Sequence, residues 1–584
     1  MLYGARVYKL LEGLLLYRTD SHQTIAAQLQ AHAGRQPDQV FLYYGGRSYT
    51  YGEANAQVNR HCAAYRALGV GEGDVVALLL ENRPEFLWHM YALHKLGAIS
   101  SLVNTHLQAA ALAHAVRICA PKHIVVGSEV WSQFAPVIDL VGPTAREMLD
   151  VDVDPEDPEV PEAPLWSERL HGTSDANPDV PGPTLRAQAA FIYTSGTTGL
   201  PKAAIVRHDR FFRAGRIWAT IAFRFKRGDV LYNCLPLYHS NSVLLATGSV
   251  VTAGASMALV RKFSRTRFWD DVRKYNATQF IYIGELCRYL LNNPPSPNDR
   301  DHRIRSISGN GLRREIWEDF KQRFGIPRVA EFYAATEGNC ITLNFLNLVG
   351  SVGPRLPGMA LVQWDESAQD FRRDAQGQLQ RVRNGEPGIL LGKIRRRARF
   401  EGYHDKAASE QKILRDVFQP GDAWFNTGDL LRRDQRAHLY FVDRVGDTFR
   451  WKGENVATSE VQAHLAQWPE VEEASVYGVT IPGTEGRAGM AALVLRNGEP
   501  FDPDAFRDHA TAGLAAYARP LFVRLRKELQ KTSTLKLQKN ELQKEGYDPR
   551  QITDPLYFFD AKSGKYVSIT PEIYDSIAHG QLAL

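Results

Sequence analysis

At 584 residues, with 44% hydrophobic and 23% charged side chains, the chain has the composition of a soluble globular protein and is too long for a single core, so two or more domains are expected. Its 70 basic and 65 acidic side chains are mixed along the chain, and the resulting net charge of +5 gives no indication of a nucleic-acid partner while leaving anionic small ligands open. The five cysteines are odd in number, far apart and without a C-x-x-C pair, which argues against a disulfide framework or a zinc site and for a reducing, cytoplasmic setting.

The first apolar stretch, Leu10–Tyr17, is interrupted by Glu12 and falls far short of the ~20 residues a spanning helix needs. No small-residue cleavage site comes after it, so it reads as a packed helix rather than a leader or anchor. From about Ile25 to Val126, helical patterns at Tyr51–Leu68 and from Arg83-Pro84 to Gly97 alternate with short apolar runs at Val75–Leu80 and His123–Val126. That alternation predicts α/β layering. Between Asp150 and Pro183 the chain turns acidic and proline-rich, which predicts a surface connection. Further strands are predicted at Val230–Leu235 and Gln279–Ile283, and no internal repeat is present. From about Asp447 onward, strand-like runs at Ala474–Val479 and Met490–Leu495 and a Lys-rich end read as a separate small domain.

The most informative stretch comes directly after the apolar run Ala189–Tyr193: Thr194-Ser-Gly-Thr-Thr-Gly-Leu-Pro-Lys202. Gly196 and Gly199 let backbone N–H groups approach an anion, Thr194, Ser195, Thr197 and Thr198 add hydroxyl donors, and Lys202 adds charge. The composition suits phosphate. Its G-x-x-G-x-x-K spacing differs from the G-x-x-x-x-G-K-[ST] of P-loop NTPases, so a kinase or GTPase reading is weak. On its own the stretch could also be a solvated Ser/Thr/Gly linker, the less favoured reading.

Six motifs farther along the chain decide between these. In order they are Leu235-Pro-Leu-Tyr-His-Ser-Asn241, Ser308-Gly-Asn-Gly-Leu312, Glu331-Phe-Tyr-Ala-Ala-Thr-Glu-Gly338, Asn426-Thr-Gly-Asp429, the run Asp443–Asn455 and Lys531-Thr-Ser-Thr-Leu-Lys-Leu-Gln-Lys539. Together they resemble the adenylate-forming superfamily of acyl-CoA synthetases, adenylation domains and luciferases, from about residue 25 to 580. Within it, Ile283–Leu290, Pro482–Met490 and Tyr517-Ala-Arg-Pro520 look like the fatty acid transport protein branch, also called very-long-chain acyl-CoA synthetases.

The resemblance implies roles for particular residues. The loop from Thr194 to Lys202 would hold the β- and γ-phosphates of ATP, Thr336 would touch the α-phosphate, and Glu337 would help bind Mg²⁺, a hard cation that takes oxygen ligands. Tyr333 would stack on adenine, with the backbone of Asn310 and Gly311 along the purine edge. Asp429 would accept both ribose hydroxyls, assisted by Arg444. Lys536 would be the catalytic lysine that offsets charge on the acyl carboxylate and α-phosphate. Here Leu535 precedes it, where many relatives have glycine. The small domain would swivel at Gly446, withdrawing Lys536 and bringing Lys452 and Gly453 towards the site for coenzyme A. His239, in an apolar and aromatic setting, fits a satisfied core histidine about as well as a place beside the acyl or thioester site. The basic run Lys393–Arg399 invites a membrane or CoA-phosphate reading, although such runs are more often solvated faces.

The sequence therefore predicts an α/β enzyme with a large adenylation domain over residues 1–445 and a smaller, mobile α+β domain over 446–584 carrying the lysine. The expected reaction converts a long- or very-long-chain fatty acid, ATP and CoA into acyl-CoA, AMP and pyrophosphate. Alternatives are a CoA ligase for a carnitine-type or sterol acid, a membrane-associated fatty-acid uptake protein, and an AMP-binding regulator with a decayed site, which the retained loop, Glu337, Asp429 and Lys536 disfavour. The expected location is the cytoplasm, with peripheral contact at the inner face of a membrane; the sequence does not specify an oligomeric state.

Overall fold

The computed structural model describes residues 18–582 except 157–162, 196–199, 366–367, 369, 397, 446–448, 452–453, 483, 485, 497–499, 515 and 532–538. By packing, the chain divides into two units: residues 1–353 with 395–412, and residues 354–394 with 413–584. The boundary expected at residue 446 falls on residues outside the described set.

The first unit holds two large sheets. Its strands, in chain order, are β1 (Val40–Tyr44), β2 (Arg47–Thr50), β3 (Val75–Leu79), β4 (Ile99–Leu102), β5 (His123–Gly127), β6 (Leu149–Asp152), β7 (Gln188–Ser195) and β8 (Pro201–Arg207). Beyond them come β9 (Val230–Asn233), β10 (Ser256–Leu259), β11 (Gln279–Ile283), β12 (Ser306–Asn310), β13 (Val329–Ala334) and β14 (Ile341–Leu343). One sheet runs β14-β13-β12-β11-β9-β10-β1-β2 and the other β6-β5-β3-β4-β7-β8, both largely parallel with antiparallel pairs at their edges.

The apolar runs that predicted strands belong to sheets covered on both faces. Alternate residues of β3 enter two separate cores: Val76 and Leu78 join the cluster shared with the other sheet, and Ala77 and Leu79 the cluster beneath Leu112, Val116 and Phe134. A strand buried on both sides has no polar face to show, hence the unbroken Val75–Leu80 run. The helix Tyr51–Ala67 begins where Thr50 accepts a hydrogen bond from Glu53 N and the Glu53 carboxylate accepts one from Thr50 N. The helix Pro84–Leu96 stops at Gly97, whose φ of 74° closes the C-terminus in the left-handed region.

One expectation fails in part. The acidic segment expected as a surface connection opens with β6, which is buried and pairs in parallel with β5. Its acids are matched individually: Asp150 to His123 at 2.9 Å, and Asp152 to His89 at 2.8 Å and Arg83 at 3.4 Å. Paired charges can be buried, and the pairs come from elements remote in sequence. Farther along, Asn177 Oδ1 accepts from the buried Lys95 ammonium at 2.9 Å, beside Asn55 and Asn59 at 2.7 Å each.

The second unit has an antiparallel sheet built on Met359–Val362, Pro387–Lys393, Ala423–Arg433 and His438–Arg444. A second sheet joins Val471–Val479, Ala488–Leu495, Phe522–Leu525, Leu556–Asp560 and Lys565–Ser568 around its own core of Leu465, Val476, Phe506 and Phe558. Both predicted runs, Ala474–Val479 and Met490–Leu495, are strands of it. No helix among the described residues is long and apolar enough to cross a membrane.

Candidate active site

The two ends of the Gly/Thr stretch lie on paired strands. Strands β7 and β8 pair antiparallel with Thr194 opposite Lys202 and Ser195 opposite Pro201, so both ends of the expected loop are strand residues. Gly196, Thr197, Thr198 and Gly199 lie outside the described residues. The pairing places Lys202 on a strand, where its ammonium lies 5.6 Å from the centre of the Tyr403 ring.

Tyr403 belongs to a segment that runs along β8: Ile205 N donates to Gly402 O at 3.0 Å and His404 N to Ala203 O at 2.8 Å. The Tyr403 hydroxyl donates to Glu337 Oε1 at 2.8 Å, joining the hairpin lysine to the expected metal ligand through one aromatic ring. The turn carrying Glu337 is held at three successive residues. Arg210, on the helix His208–Ile217 after the hairpin, donates to Ala335 O at 2.6 Å; Thr336 Oγ1 lies 3.2 Å from Ser240 Oγ; and Glu337 meets Tyr403. Burial lowers Arg210 to about 10, with Arg213 acting the same way and the charge of Glu337 opposing it, so it stays cationic at neutral pH.

Consecutive side chains of the Pro-Leu-Tyr-His-Ser-Asn motif tie two other motifs together. Ser240 touches Thr336, and Asn241 Nδ2 donates to Asn310 Oδ1 at 2.6 Å. Beside them, His239 is half-buried, its ring centre 4.6 Å from that of Tyr238. Desolvation, helped by His106, lowers it to about 4, so its imidazole is neutral at pH 7. Tyr333 is a buried residue of β13, 7% exposed and opposite Thr342. Asn310 ends β12, and Gly311 comes next with φ of 85°.

In the second unit, Asp429 and Arg444 face each other across adjacent strands, with Arg444 Nε 2.9 Å from Asp429 Oδ1. Asp429 is buried, whereas the Arg444 side chain is half exposed. The preceding Asn-Thr-Gly forms an irregularity inside the strand Ala423–Arg433: Gly428 has φ of 73°, Asn426 Oδ1 accepts from Gly428 N at 3.0 Å, and Thr427 Oγ1 accepts from Asp429 N at 3.1 Å. Lys531 pairs with Glu473, and Lys539 donates to Thr458 Oγ1 at 2.7 Å. Lys536, Lys452, Gly453 and the hinge residue Gly446 lie outside the described residues.

The description "AMP-binding enzyme" matches residues 29–392, and "AMP-binding enzyme C-terminal domain" matches 460–536. The chain belongs to the AMP-binding enzyme family. A medium/long-chain-fatty-acid–CoA ligase of Mycobacterium tuberculosis is 44% identical over 570 residues, covering 97% of this chain and 93% of the relative. Long-chain fatty acid transport protein 1 of Homo sapiens is 41% identical over 573 residues, covering 96% and 88%. Among solved structures, an anthranilate CoA ligase in complex with anthranoyl-AMP matches the fold with a TM-score of 0.77 at 21% identity, covering 91% of this chain and 98% of that one.

Several residues of this AMP-binding enzyme escaped the sequence reading. Arg210 lies eight residues after Lys202, but nothing in the sequence marked it as facing inward. Ser240 and Asn241 were inside a quoted motif with no role attached. Tyr403 had no local signal at all, because only the return of a distant segment along β8 brings it to Glu337.

Proposed function

We propose that the chain is an ATP-dependent fatty acid–CoA ligase for long or very long acyl chains. What carries the reading is full-length kinship, at 44% identity, to a medium/long-chain-fatty-acid–CoA ligase, in a chain whose Thr336, Glu337 and hairpin lysine converge on one turn. In the first half-reaction a carboxylate oxygen of the acid attacks the α-phosphorus of ATP, the bond to pyrophosphate breaks, and an acyl-adenylate forms. Lys202 and the Gly/Thr stretch before it meet the β- and γ-phosphates, Thr336 donates towards the α-phosphate, and Lys536 offsets the charge that accumulates there. Glu337 suits Mg²⁺, which is commonly held by one or two carboxylates together with substrate phosphates, and Tyr403 fixes the direction of that carboxylate.

In the second half-reaction the CoA thiolate attacks the acyl carbon and AMP leaves. Residues 446–584 rotate about Gly446 for this step, taking Lys536 away and bringing Lys452 and Gly453 in. Neutral His239 is suited to a hydrogen bond at the thioester site. On this reading adenine falls to Tyr333 and the Asn310–Gly311 backbone, and the ribose hydroxyls to Asp429 and Arg444. The enzyme works in the cytoplasm, meeting its insoluble acid at the inner membrane face.

The test is pyrophosphate release from purified protein with ATP, Mg²⁺ and acids of graded length, with and without CoA, beside Lys536→Ala. One length class should drive release, and the variant should lose about a hundredfold in rate while still binding ATP. Release with no fatty acid but with another carboxylate would overturn the substrate. The relatives named as transport proteins favour a second reading, in which ligation traps incoming acid. Uptake lost in cells carrying Lys536→Ala supports trapping, and uptake retained supports carriage.

A further inference from the structure

Beneath the Asn310–Gly311 turn lies an acid with no place in the proposed reaction. Tyr282, Gly309 and Glu331 stand side by side in register on β11, β12 and β13. The middle residue has no side chain, and the two flanking ones meet across it: the Tyr282 hydroxyl bonds Glu331 Oε2. A Cβ on Gly309 would come 2.6 Å from Tyr282 Cδ2 and close the gap. The other carboxyl oxygen, Oε1, accepts from Gly311 N and, at 3.2 Å, from Leu312 N.

Glu331 is 2% exposed. Burial pushes its carboxyl up to about 8, opposed by its bonds to Tyr282, Gly311 and Leu312. An acid so placed is a poor device for stability, since an apolar side chain of similar size would avoid the desolvation cost. Its geometry does something an apolar side chain could not: one oxygen fixes two successive backbone amides. With both N–H groups bonded to one oxygen, the peptide plane shared by the Leu312 N–H and the Gly311 carbonyl is held, in a turn whose φ of 85° at Gly311 is already restrictive. Gly284 closes the opposite side, where an added Cβ would lie 1.7 Å from that same carbonyl oxygen.

We infer that Glu331 is a positioning residue for the nucleotide: through the Gly311 and Leu312 amides its carboxyl sets the backbone edge that recognises the purine, and so governs ATP affinity and the choice of adenine over guanine. The inference rests on the proposed nucleotide-binding role of that turn. Glu331 touches no reacting atom, so its loss acts on KM for ATP far more than on KM for the acid.

The experiment compares wild type with Glu331→Ala, Glu331→Gln and Tyr282→Phe, measuring ATP and GTP binding by calorimetry and KM for each substrate. Glu331→Ala should raise KM for ATP by about tenfold or more and narrow the ATP:GTP ratio, leaving KM for the acid within about twofold. Glu331→Gln keeps an oxygen for both amides and should recover most of the loss. An unchanged KM for ATP in Glu331→Ala overturns the inference, as does an equal loss in every parameter that Gln fails to rescue. If Glu331→Ala does not fold, Tyr282→Phe decides, with a rise of about threefold in KM for ATP alone expected and no change refuting. Wild type that binds no adenine nucleotide overturns the underlying reading and this inference together.

Discussion

Gly284→Ala sets two well-characterised effects against each other. Gly284 is the first residue of the helix Gly284–Leu291, and alanine there should gain up to about 1 kcal/mol in helix propensity. Against this, the new Cβ would lie 1.7 Å from Gly311 O, 2.2 Å from Gly311 C and 2.8 Å from Leu312 N, all backbone atoms with no rotamer to change. Restoring a normal carbon–oxygen contact of roughly 3.2 Å requires the 309–312 turn to move by about 1.5 Å, and overpacking of this kind costs about 1–3 kcal/mol. The clash wins, so the variant should be less stable by about 1–2 kcal/mol. A shift of that size at a binding edge should also lower kcat/KM for ATP by about a hundredfold. Gly34→Ala is the control, since Gly34 also lies in a helix but has nothing within 4 Å of an added Cβ, and it should gain stability. Urea midpoints and pyrophosphate release against ATP concentration measure both. A Gly284→Ala protein as stable as Gly34→Ala with wild-type KM for ATP would refute the reasoning.

Tyr403→Phe removes the donor to Glu337 while keeping the ring beside Lys202. Losing a hydrogen bond worth about 1 kcal/mol should raise the Mg²⁺ concentration for half-maximal pyrophosphate release by about fivefold, and an unchanged Mg²⁺ dependence would count against a metal role for Glu337. Acid should destabilise the fold through imidazoles held out of water: desolvation lowers the buried His61 and His94 to about 3 and the half-buried His239 to about 4. The unfolded chain protonates first, so stability present above about pH 6.5 is lost as pH falls towards these values. The slope of the urea midpoint over that window should be shallower in His94→Asn, and an identical slope would dismiss the contribution of His94.

Local signals were the most legible. The helical pattern at Tyr51–Leu68, the helix end at Gly97 and the apolar run at Val75–Leu80 all correspond to elements of the fold. Roles for Thr336 and Glu337 came from the resemblance of the ordered motifs, since a Thr-Glu pair by itself carries no chemistry. Unreadable features depended on register or on chain return. Nothing in Glu331-Phe-Tyr-Ala told that Tyr282 and Gly311, 49 and 20 residues away, would meet its carboxyl, since strand pairing alone aligns them. The acids of β6 were misread for the same reason: their partners Arg83, His89 and His123 come from other elements.

The return of residues 395–412 to the first unit has a consequence for dissection. The chain passes between the units three times, after residues 353, 394 and 412, so neither unit is one continuous stretch. A fragment ending at residue 353 would keep Lys202, Arg207 and Glu337 but lose Tyr403 from Glu337 and Glu401 from Arg207, which it pairs with at 2.6 Å. Protease nicking after residue 412 would leave that patch attached to the first unit through the second. Gene splitting or domain exchange that spares the site must therefore keep the 395–412 segment with the N-terminal part, which a cut after residue 412 does and a cut after residue 353 does not.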